Sequence, residues 1–167
     1  MIVPICINFY ILFLIERTRN MKTIFDQTTR DGLISRIGTL NEGSTAQWGK
    51  MTVYQMVKHC SLWEQMILDN KPYPRVFVSY IFGRAILKAV MKDDAPLRPN
   101  SPTITPFKVT GDGDVASEKA NWVALIQSYP EKAPATFMHP FFGKMTREQV
   151  GQLVYKHIDH HLRQFNS

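Results

Sequence analysis

Two seven-residue phrases, Gly49-Lys50-Met51-Thr52-x-x-Gln55 and Gly143-Lys144-Met145-Thr146-x-x-Gln149, constrain the fold of this chain more than any other feature. Each sets a threonine three residues ahead of a glutamine, the spacing at which each side chain satisfies the other's free backbone N–H at the start of a helix. Each also runs into residues whose apolar members recur every three or four positions. Two helices are therefore expected to enter the structure in similar ways, as a pseudo-symmetric pair, although two helices can also share a good cap by coincidence. Neither phrase is a phosphate loop, because Gly43 lies one residue too far from Gly49-Lys50, and Met51 stands where a serine or threonine would hold magnesium.

The rest of the chain from residue 27 onward is also helical in period, and alternation of period two is scarce. An all-α, four-helix bundle is the expected fold. A first helix is predicted from about Asp26 to Leu40, ended by Asn41-Glu42-Gly43-Ser44. A second runs from Thr52 through His59, Trp63 and Met66 to about Asn70. Val76 to Met91 is apolar around much of its circumference, which predicts a helix buried deeply or packed on a partner such as a second copy of the chain. Lys92 to Gly113 carries Pro96, Pro99, Pro102 and Pro106 and little periodicity, so a long proline-rich crossover or lid joins the second and third bundle helices. Asp112 or Asp114 can cap a third bundle helix bearing Ala120, Val123, Ala124 and Ile126 and ending before Pro130. The run Gly111-Asp112-Gly113-Asp114 is not a calcium loop, since Ser117 stands where the required glycine would be.

A chain of 167 residues that is 44% hydrophobic can build one domain with a substantial core. Its formal charge of +6 is spread along the chain without a basic stripe, which argues against nucleic-acid binding. Two cysteines, Cys6 and Cys60, make no disulfide framework and fit a reducing compartment, so a cytoplasmic location is expected. Residues 1–15 are almost wholly apolar but shorter than the roughly 20 residues of a spanning helix, and no cleavage pattern follows them. Composition changes abruptly between Glu16 and Met21. Residues 1–20 are accordingly expected to lie outside a domain formed by residues 21–167, the alternative being membrane association through residues 1–15.

Three of the five histidines fall between His157 and His161. Each helical residue advances by about 100°. With Val150 at zero, His157 and His161 lie at about −20° and 20°, inside an apolar face that also holds Val154, Ile158, Leu162 and Phe165. His160, at about −80°, reaches its margin, and Asp159 points away toward solvent. An i, i+4 pair of inward imidazoles can share one divalent ion, but two ligands are too few for tight binding. His59, near the edge of a face formed by Met56, Cys60, Trp63, Met66 and Ile67, is the best candidate for a third. The same burial also fits histidines that are simply satisfied in a core. Cys60 diverges from His59 by about 100° and reads as a small core residue. His139, in His139-Pro140-Phe141-Phe142-Gly143, fits either a loop or a place over the end of the bundle.

A histidine on the second helix, a late His-x-x-x-His and the glutamine that follows it, here His59, His157, His161 and Gln164, resemble the DinB/YfiT-like superfamily. The stretch from His139 to Gln149, followed by Tyr155 to Phe165, looks like a bacterial branch of that superfamily with no assigned activity. The likeness covers roughly Met21 to Asn166. It implies a four-helix bundle and a divalent metal, zinc or nickel, held by His59, His157 and His161, with a small-molecule substrate or thiol as partner. Members of the superfamily include thiol-dependent transferases and isomerases and proteins described as hydrolases.

Two functions from different classes fit these residues. One is a metal-dependent enzyme in which the open metal position activates water or a small thiol. No general base is assignable from sequence, with Glu64 and Asp69 on the second helix but unplaced. The other is a non-catalytic bundle that binds a metal or apolar ligand. A third reading, a membrane protein using the N-terminus and Val76 to Met91, is disfavoured because Arg84 and Lys88 interrupt the apolar run.

Overall fold

Five helices and one short hairpin follow one another in the computed structural model, which describes residues 21–167. The expectations for residues 1–20 lie outside the described residues. Helix α1 spans Gln27–Thr39 and starts at Asp26, whose carboxylate accepts from the Thr29 N–H at 2.7 Å. Helix α2 spans Val53–Leu68 behind the Thr52/Gln55 capping box. Helix α3 spans Ser79–Val90, and a 3-10 turn at Thr105–Phe107 is the only regular element of the proline-rich crossover. Helix α4 spans Val115–Lys132 with Asp114 as its cap, and α5 spans Arg147–Gln164 behind the Thr146/Gln149 box.

Helices α1, α2, α4 and α5 touch in a ring, with α4 against α1 and α2, and α5 against the same two. Their inward stripes make the core: Leu33 and Ile37 from α1, Met56, Cys60 and Ile67 from α2, Trp122, Ile126 and Tyr129 from α4, and Val154, Ile158 and Leu162 from α5. Full burial of a side chain such as Ile158 or Leu162 is worth about 1.5–3 kcal/mol, which is how α5 comes to present a fixed face to α2.

The doubled phrase folds twice in the same way. Gly49 and Gly143 have φ of 79° and 76°, and the two boxes have the same hydrogen bonds, 3.2 Å to each threonine hydroxyl and 3.1 Å to each glutamine oxygen. A left-handed glycine turns the chain, and the box then nucleates the helix.

Three expectations need correction. The class is mostly helical and not purely α, because Thr136–His139 (β1) pairs antiparallel with Gly143–Thr146 (β2), Phe137 opposite Met145. Four-residue strands are too short for their buried Phe137 and Met145 to register as alternation. Helix α4 does not stop before Pro130 but carries it in its last turn. There a proline forfeits one hydrogen bond, and the Arg147 guanidinium donates to the carbonyls of Pro130 and Ala133, satisfying the helix end from outside. Helix α3 is not deeply buried: only Ser79, Gly83 and Leu87 face inward, onto the hairpin, where Ser79 Oγ donates to the Pro140 carbonyl at 3.4 Å. Its apolar circumference reads as core in sequence, yet it rides outside the ring. Among the described residues no helix is long and apolar enough to cross a membrane.

Candidate metal centre

The inward face of α5 and the neighbouring face of α2 bring His157, His161 and His59 together. One ring nitrogen from each lies within 4.8 Å of the others, and among the described residues no other group of three histidine, cysteine or carboxylate side chains does so. The ring centroids are 4.7 to 5.3 Å apart. His59 and His161 are buried, while His157 sits at the partly exposed edge.

Hydrogen bonds behind the rings decide which nitrogens face inward. His59 Nδ1 lies 2.8 Å from the Phe107 carbonyl. A carbonyl only accepts, so Nδ1 carries the proton and Nε2 keeps its lone pair. The Gln164 amide donates to the Trp48 carbonyl at 2.8 Å, which turns its oxygen toward His161 Nδ1 at 2.9 Å. His161 is therefore also protonated on Nδ1 and bare on Nε2. His157 presents its Nε2 3.3 Å from that of His59, its ring stacked on Trp63 at 4.2 Å and 22°. Its Nδ1 is buried without a partner.

These imidazoles fit a divalent ion. Two ligands about 2.0–2.1 Å from a tetrahedral ion stand about 3.3–3.4 Å apart, the spacing seen between His59 and His157. The ligand nitrogens of all three lie within 4.8 Å of one another, so the set would have to draw together to share one tetrahedral ion. Burial depresses all three pKa values, that of His161 to about 3, with the neighbouring imidazoles lowering it further. At neutral pH the cluster holds no protons that an ion would have to displace. Three neutral nitrogens suit a transition-metal ion in preference to magnesium or calcium.

The other candidates separate from this cluster. Cys60 is a core residue, its Sγ 3.9 Å from Met56 Sδ, and burial pushes its thiol pKa up. Glu64 lies five residues after His59, about 140° round the helix. There it is fully buried and accepts from the Tyr129 hydroxyl, and burial raises its pKa to about 8. Asp69 is the exposed C-cap of α2. Asp159 is not solvated as expected: it is 4% exposed and clamped between Arg36 at 2.6 Å and Arg163 at 2.7 Å. His160 is buried against Trp48 and His161. His139, the last residue of β1, is buried with its ring 6.3 Å from that of Trp63 on α2, and its Nδ1 accepts from the N–H groups of Phe141 at 3.0 Å and Phe142 at 3.1 Å to hold the hairpin turn.

The sequence points to the three imidazoles and to Gln164 as part of the same motif, but gives no orienting role to any of the groups that aim them. Trp63, one turn beyond His59 on the same face, was a usable signal. The Phe107 and Trp48 carbonyls were not, since a backbone group has no residue-type signature.

The chain matches the family described as "Protein of unknown function (DUF1569)" over residues 19–167 and belongs to it. Comparison with curated proteins and with solved structures gives no significant match.

Proposed function

We propose that this DUF1569 member is a DinB/YfiT-like four-helix-bundle protein in which His59, His157 and His161 hold one divalent ion, zinc or nickel, for hydrolase or thiol-dependent transferase chemistry on a small molecule. The observation that carries the reading is the pair of Nε2 lone pairs on His59 and His161, each aimed inward because its Nδ1 proton is engaged behind. When bound, the ion would supply Lewis acidity to a water or small thiol at its open position. The chain does the rest. The Phe107 carbonyl and the Gln164 amide fix two tautomers, Trp63 fixes the plane of His157, and the proline-rich crossover brings Phe107 over the site and limits water. In this reading residues 21–167 are the bundle domain, residues 1–20 lie outside it, and the protein works in the cytoplasm.

Metal content after purification without a histidine tag is the direct test. About one ion per chain is expected, removable by a chelator and restored by titration with zinc or nickel, with affinity lost in His157→Ala. A chain that arrives without metal and cannot be loaded would end the proposal.

One observation favours a second reading, a binder without turnover: the cluster contains no carboxylate, and Glu64 is committed to Tyr129. The two readings separate on incubating the loaded protein with low-molecular-weight thiols and simple esters. Turnover that disappears in His161→Ala selects the enzyme, and its absence selects the binder.

A further inference from the structure

We propose that the outward face of α3 docks the protein on an anionic lipid surface. The helix buries only the stripe Ser79, Gly83 and Leu87. Its other sides expose large apolar groups: Phe77 just before it is 79% exposed, Tyr80 64%, Ile81 66% and Phe82 53%. Single exposed apolar residues need no explanation, but a contiguous patch of this kind marks a contact surface.

Charge selects the partner. From Lys71 to Lys92 the sequence contains Lys71, Arg75, Arg84, Lys88 and Lys92 and no aspartate or glutamate. At 100° per residue, Arg84 and Lys88 lie about 40° apart on one flank of α3 with Ile81 about 20° from Lys88, and Ala85 and Phe82 turn toward the other flank. An open cleft on the basic flank is lined by Arg84, Leu87, Lys88, Met91 and Gln149, so two cations and apolar carbons share one recess. That pairing suits a lipid phosphate with its acyl chains beside it. A second copy packed through the same face would set these basic residues against their own counterparts, with no acid on the helix to relieve them.

The docking is parallel to the surface, since α3 has 12 residues and no described helix is long and apolar enough to cross.

The test is sedimentation of the full chain with sucrose-loaded vesicles of phosphatidylcholine, with or without about a third phosphatidylglycerol, at low and high salt. Binding is expected only to the anionic vesicles, and salt should weaken it. Phe77→Ser with Ile81→Ser should lower partitioning by at least about tenfold, and Lys88→Glu by about fivefold per unit of charge. Both apolar positions are more than half exposed, so an unchanged circular dichroism spectrum is expected of the variants. Equal binding to both vesicle types, undiminished binding of the double variant, or no binding at all overturns the proposal. A dimer in sedimentation velocity that the double variant dissolves, without vesicle binding, would assign the face to a second copy instead.

Discussion

At the scale of single residues, the proposed metal site depends on groups outside its three imidazoles. Gln164 links the Trp48 carbonyl to His161, and so fixes both the ring's angle and the nitrogen it offers. Gln164→Ala is expected to weaken zinc binding by about 10–100-fold while leaving the helical spectrum unchanged, measured by competition with a chelating dye. Unaltered affinity would mean that packing alone orients His161. His157→Ala should cost more, because under the proposed function it removes a ligand. The inward direction of His157 and His161 was legible in advance, since helix geometry turns a sequence interval directly into an angle. The environment of Asp159 was not: its outward angle implied water, but Arg36 comes from α1, and no local spacing reveals a partner 123 residues away. His160 is the same case, margin by angle but buried because the Trp48 ring packs against it.

At the scale of elements, the two copies of the doubled phrase have the same local geometry but different surroundings. Thr52→Ala and Thr146→Ala should each lose about 1 kcal/mol of stability, through the same cap. The glycines should part company. A Cβ on Gly49 would stand 2.8 Å from Gln164 Nε2, whereas one on Gly143 would meet the Arg75 guanidinium at 3.3 Å. Alanine at either site costs about 1 kcal/mol for its left-handed backbone, but only Gly49→Ala should also reduce zinc affinity, by displacing the amide that orients His161. Equal affinity in the two variants would remove this link. Helix starts were readable because a capping box is local chemistry. The hairpin was not, as four-residue strands leave too little pattern, and the outward face of α3 was not, because periodicity reports an apolar surface without saying what covers it.

At the scale of the whole molecule, opposed titrations should shape stability against pH in the metal-free protein. His139 and His161 have folded pKa values pushed by burial from 6.5 to about 3. Below pH 6.5 the unfolded chain binds their protons more readily than the fold does, so the stability they contribute is complete above 6.5 and is lost as pH falls toward 3. His59 and His157 are lowered in the same direction, chiefly by burial, and steepen this acid limb. Glu64 works the other way. Its folded pKa is raised from 4.5 to about 8, so the fold holds a proton that the unfolded chain has released, and stability falls as pH rises through that interval. Each group contributes a slope of about 1.4 kcal/mol per pH unit within its own window. Between pH 4.5 and 6.5 the histidines outnumber the single glutamate and the net slope is upward; from 6.5 to 8 Glu64 alone of these groups is still titrating. Urea midpoints should therefore peak near pH 6.5 and decline on both sides. In Glu64→Gln the Tyr129 hydroxyl keeps an oxygen to donate to, and the alkaline decline should flatten while the acid limb stays. An alkaline limb unchanged in Glu64→Gln would show that Glu64 is not the group responsible. Bound zinc should depress the apparent pKa of its ligands further, and so extend the plateau toward acid until proton competition releases it.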